Sequence, residues 1–140
     1  MKITPAIARF LLGLIFLVFG LNGFLHFIPA PPPPSGTAGQ FVGALFVSNY
    51  LVVVFLLQII PAILLLINRY VPLALTLLAP IIVNILLFHI LMAPSGLLLA
   101  IVVTVLWIAV FLSVRSAFGG LLHERVPTQS LPSQDHGSLS

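Results

Sequence analysis

Eight side chains in this sequence could do chemistry inside an apolar environment: Asn22, His26, Gln58, Thr76, Asn84, His89, Thr104 and Trp107. All stand within runs of leucine, isoleucine, valine and phenylalanine. A polar group in such surroundings is expensive, so it faces a partner rather than lipid. Three chemistries suit these amides, imidazoles and the indole. The plainest is fastening, with hydrogen bonds between helices each worth about 0.6 kcal/mol. The second is a site for a lipophile such as quinone. Its carbonyl oxygens need donors and its ring needs an aromatic or aliphatic slot, and Asn22, His26, Gln58, Asn84, His89 and Trp107 supply both. The third is ligation of a haem iron by His26 and His89, a thin ligand set while the second nitrogen of each ring has no identified partner. The sequence assigns no catalytic residues and no metal cluster. His123 and His136 fall in a polar stretch and read as solvated.

Spacing adds to this. Asn22 and His26 are four apart and are expected to share a helix face. Asn84 and Phe88 have the same spacing, whereas His89 lies about 140° round the helix from Asn84. With a rise of about 1.5 Å per residue, Asn22 and His26 fall roughly 9 and 3 Å below the outer membrane surface, and Asn84 and His89 roughly 12 and 5 Å. Gln58, Thr104 and Trp107 come out roughly 10–15 Å deep on the same rise. Every helix thus puts a polar group into one layer of the outer half of the membrane. No Asp, Glu, Lys or Arg joins that layer, which leaves a charged proton relay or an ion-selective path without support.

The elements that position these groups follow from composition. Of 140 residues, 61% are hydrophobic and 5% charged, and the mean hydropathy is +1.29. Soluble domains carry about a quarter charged residues, and a chain this short cannot hide so much apolar surface in one globular core. Lipid is therefore the solvent, which excludes a soluble enzyme, a nucleic-acid module and a disordered chain. The pI of about 10.3 rests on five cations against two anions, with no basic run to track a phosphate backbone. Cysteine is absent, so no disulfide or thiolate site can form.

A helix needs roughly 20 apolar residues to cross the hydrocarbon core. On that rule the chain is expected to be all-α, an integral membrane four-helix bundle. One membrane domain over residues 1–117 would hold spans at about 6–28, 49–67, 71–92 and 97–117. The first span is too long and apolar for a signal core and reads as retained. Residues 29–40 form an external proline-rich loop, Phe41–Val47 a short interfacial or re-entrant piece, and 118–140 a disordered cytoplasmic tail. Asn68-Arg69-Tyr70 is a polar turn, with Pro72 where a first helical turn tolerates it. Four spans return the chain to its starting side. Lys2, Arg9, Arg69, Arg115 and Arg125 all fall on that side, so the positive-inside rule puts both termini in the cytoplasm.

Helices in lipid associate through close packing. Gly13, Gly20 and Gly23 form a small-residue stripe that reads as a groove for a neighbouring helix. Pro61 and Pro80 sit inside spans, where each frees a carbonyl one turn earlier, those of Leu57 and Thr76.

ARFLLGLIFLVFGLNGFLHF in the first helix and NRYVPLALTLLAPIIVNILLFHILMAP across the turn and third helix resemble DoxX-like membrane proteins. The resemblance spans about residues 8 to 117, without the proline loop and tail. It implies a compact four-helix bundle of the bacterial inner membrane, with redox-associated relatives that include a thiosulfate:quinone oxidoreductase. It also marks Asn22, Phe24, His26, Asn84 and His89 as family-pattern positions. Two departures matter: with no cysteine a thiol relay cannot operate, and Gln58 stands where a carboxylate would be unsurprising.

The expected function is an accessory subunit of a membrane redox system. It would be no stand-alone catalyst, and would hold quinone, or less readily haem, for a redox-protein partner or within a homo-oligomer. No flavin, nucleotide or iron–sulfur motif is present. The alternative is a structural or partner-binding membrane protein without a ligand. A small-molecule carrier ranks behind both.

Overall fold

The structure is a computed structural model that describes residues 3–29, 31–122 and Glu124. Its regular elements are helices: α1 (Ile3–Leu25), α2 (Gly36–Val47), α3 (Tyr50–Leu66), α4 (Val71–Leu91) and α5 (Leu97–Val114). Short 3-10 turns occupy Pro94–Gly96 and Arg115–Leu122. Among the described residues there is no strand.

Local chemistry sets the boundaries. α1 stops at Leu25 because His26 takes a left-handed conformation, φ 52°. Asn68 and Tyr70 are also left-handed, at φ 55° and 52°, and turn the chain between α3 and α4. Such conformations are uncommon outside glycine, and asparagine tolerates them best. Pro72 then occupies the first turn of α4, where its missing N–H costs nothing.

Three helical stretches are long and apolar enough to cross a membrane: Ile3–Leu25, Val71–Leu91 and Pro94–Leu122. A fourth crossing is available if α2 and α3 count as one span, but they meet at 85°. The elbow is at Asn49, which is left-handed at φ 58°. The 17 residues of α3 rise about 25 Å, close to the roughly 30 Å hydrocarbon core.

Two expectations need correction. The proline loop does not run through residue 40, because α2 already begins at Gly36. Ser35 is extended and Gly36 takes φ +64°, which starts the helix early. Gly39 lies so close to the Pro34 carbonyl that a Cβ there would collide with it, and Ala38 is buried. Nor do residues 118–122 begin a disordered tail. They continue as 3-10 turns, with Phe118 5.0 Å from Phe111 in ring centroids. The rest of the expected tail lies outside the described residues, Glu124 apart, as does Ala30 of the loop.

The core is shared by the long helices. Leu12 and Phe16 of α1, Ala62 and Leu65 of α3, Leu75 and Leu78 of α4, and Val103 and Val110 of α5 are all buried. α1 lies along α3 and α5, and α4 packs against the same pair. The glycine stripe faces α3. A Cβ on Gly13 would come 3.0 Å from Leu66, and one on Gly20 would come 2.8 Å from Ile59. Arg9 donates to the Leu65 carbonyl at the end of α3. α2 packs on α3 and reaches α4 through Phe41, 5.9 Å from Phe88. Outward faces carry large apolar side chains such as Ile60, Leu73, Ile90 and Leu98, as a lipid-facing surface requires.

Candidate functional site

Two cavities meet in one half of the molecule. The central one, about 350 Å3, lies between α1, α3, α4 and α5 and takes Asn22, Gln58 and His89 as its polar walls. Phe16, Phe19 and Phe55 supply aromatic surface. The lateral one, about 500 Å3, lies beneath α2 between α3 and α4, with Tyr50, Gln58, Asn84 and His89 as its polar walls. Phe41, Leu45 and Phe88 line its apolar side. Gln58, Ile85 and His89 belong to both linings and so form the shared wall.

Helical spacing explains that wall. Ile81, Ile85 and His89 follow each other at four-residue intervals, with Asn84 and Phe88 on the adjacent row. The lateral cavity is broad enough to cover both rows, so Asn84 and His89 meet it although they point about 140° apart. On α3, Phe55 and Gln58 are three apart and look into the central cavity together.

The side chains are held differently. His89 Nδ1 lies 2.8 Å from the Ala93 carbonyl, and Gly96 leaves room for the ring, since a Cβ there would overlap it. Asn22 Oδ1 accepts from the Ile28 N–H at 2.8 Å. Asn84 Nδ2 donates to the Pro80 carbonyl at 2.9 Å. Gln58 is only 9% exposed. Its amide takes no part in the side-chain hydrogen bonds found among the described residues, its side chain lines both cavities, and neither amide atom is sealed off without a partner.

Of the expected site residues, Asn22, Gln58, Asn84 and His89 come together around these cavities. His26 does not. Its left-handed backbone takes it out of α1, so it does not share a helical face with Asn22, and it is exposed outside both linings. Trp107 is also elsewhere: its Nε1 donates to the Leu75 carbonyl at 3.0 Å, and its ring stacks on Phe111 at 5.2 Å. Thr76 and Thr104 bond their own helices, to Pro72 and Ala100. His26 and His89 therefore line no common cavity, and no group of three His, Asp or Glu converges among the described residues. Sequence reasoning missed Tyr50 as a wall residue. Its signal is a tyrosine at a break between apolar runs, where an amphipathic ring suits the edge of a cavity.

No protein-family model matches the chain, and neither a curated protein nor a solved structure does. The DoxX-like resemblance rests on the residues quoted for it.

Proposed function

We propose that this chain is a DoxX-like multi-pass protein of the bacterial inner membrane, a four-span bundle with both termini in the cytoplasm. It serves as an accessory subunit of a membrane redox system and holds quinone or a similar lipophile in the paired cavities. The observation that carries this reading is Gln58. The residue is nine-tenths buried, yet its amide makes no side-chain hydrogen bond among the described residues and is not sealed off, so its polar atoms reach the cavity space, where a ligand or water can pair with them. Gly20 and Gly23 let α1 approach closely enough to wall the central cavity. An electron donor comes from another polypeptide, since the chain carries no motif for a redox cofactor of its own. The positions of Arg9, Arg69 and Arg115, at the ends opposite the cavities, support the orientation.

The alternative is a structural membrane protein whose polar groups only fasten helices. The Trp107 bond from α5 to the Leu75 carbonyl of α4 favours it. The bonds of Thr76, Asn84 and Thr104 stay within their own helices, which does not.

Native mass spectrometry of the protein released from its own membranes in mild detergent decides between them. A stoichiometric adduct with the mass of a quinone, lost in Gln58→Leu while that variant stays folded, is the expected result. Bare protein or ordinary lipid adducts alone would leave the fastening reading.

A further inference from the structure

The hydrogen bonds that anchor the cavity side chains also decide which of their ends remain for a ligand. A backbone carbonyl only accepts, so His89 Nδ1 must carry the proton it shares with Ala93. In the neutral ring Nε2 is then a lone-pair acceptor. Asn22 is committed in the opposite sense. The Ile28 N–H needs an acceptor, which uses Oδ1 and leaves Nδ2 as a donor. Asn84 spends one of its two N–H groups on Pro80 and keeps the other as a donor and Oδ1 as an acceptor. Gln58, between the cavities, can serve in either role. The combined walls offer an acceptor at His89, a donor at Asn22, and adaptable amides at Gln58 and Asn84.

That pattern is wrong for a ligand that only accepts. A quinone's carbonyls would be met by Asn22, Gln58 and Asn84 but would leave the lone pair of His89 Nε2 without a donor. A hydroquinone's O–H groups both donate and accept, which answers every wall group. We infer that the cavities select the hydroxyl-bearing, reduced form of an aryl lipophile. An O–H of the ligand donates to His89 Nε2, and its ring lies among Phe16, Phe19 and Phe55 in the central cavity. Its tail runs beneath α2 past Leu45 and Phe88. This inference rests on the lipophile-binding reading and adds which redox form is held.

The test is anaerobic calorimetric titration of the detergent-solubilised protein with decylubiquinol and with decylubiquinone. The quinol is expected to bind about tenfold tighter or better, because a buried acceptor left without a donor carries a desolvation cost. His89→Phe, checked for folding by circular dichroism, should remove that preference, bringing the quinol and quinone affinities together. Equal affinities or a preference for the quinone in the natural protein would overturn the selectivity while leaving the lipophile site in place. Binding of neither compound would overturn the site itself. A preference that survives in folded His89→Phe would overturn the role given to that ring. If His89→Phe does not fold, the comparison in the natural protein still decides the selectivity.

Discussion

Replacing Gly20 by alanine tests the approach of α1 to α3 on which the central cavity depends. A Cβ at Gly20 would stand 2.8 Å from Ile59 Cγ1, 3.3 Å from Gln58 Cβ and 3.4 Å from the Phe55 carbonyl oxygen. Carbon atoms prefer a separation of about 3.5–4.0 Å. Ile59 cannot swing aside freely, because a β-branched side chain has one strongly preferred rotamer in a helix. α1 must therefore back away, and overpacking of this kind costs about 1–3 kcal/mol. Alanine also brings a helix-propensity gain over glycine of at most about 1 kcal/mol. Gly43→Ala in α2 separates the two effects, because nothing lies within 4 Å of its added Cβ. The two variants should thus differ in stability by about 1–3 kcal/mol, the packing strain alone. Titration of sodium dodecyl sulfate into mixed micelles, followed by far-ultraviolet circular dichroism, reads the difference. Gly20→Ala should unfold at lower denaturant, and Gly43→Ala at the natural value or above. Equal midpoints would mean that α1 and α3 are not in close contact, and the cavity wall from Asn22 to Gln58 would lose its basis.

Trp107→Phe removes the α5–α4 hydrogen bond but keeps an aromatic ring on Phe111. A loss of about 0.6 kcal/mol, typical of interhelical bonds in membranes, is expected in the same titration. A loss beyond about 2 kcal/mol would make that bond a larger contributor than such bonds are. Asn22→Ala strips the Ile28 N–H of its acceptor and should cost about 1 kcal/mol, as the loss of a helix cap does. Hydrogen exchange at the Ile28 amide should speed up, and unchanged exchange would count against that bond.

The apolar runs and their punctuation made the long helices legible. Asn68-Arg69-Tyr70 and Ala93-Pro94-Ser95-Gly96 interrupt otherwise continuous hydropathy, and α4 and α5 begin at Val71 and Leu97, where those signals end. The break at Ser48-Asn49 was equally visible, but its angle was not, because a left-handed Asn49 is a choice the sequence permits without requiring it. Gly36–Gln40 read as loop because glycine resists helix; the Gly39 contact with Pro34 is tertiary and leaves no local trace. The convergence of Asn22, Gln58, Asn84 and His89 could be expected from depth along each helix. His26 could not be placed that way, since its backbone leaves the helical register at the residue where a periodic rule assumes that it continues. Which end of each amide is already engaged lies beyond any pattern of residue types. It depends on whether the nearest free backbone group is a donor, as at Ile28, or an acceptor, as at Pro80.

The 85° elbow between α2 and α3 also gives the molecule a shape. The 12 residues of α2 reach about 18 Å away from the axis of α3. They broaden the molecule at the end where α3 begins. Any displacement of α2 is passed through Phe41 and Phe88 to the roof of the lateral cavity. The volume beneath α2 is therefore set by the angle at which the elbow holds that helix against α3 and α4.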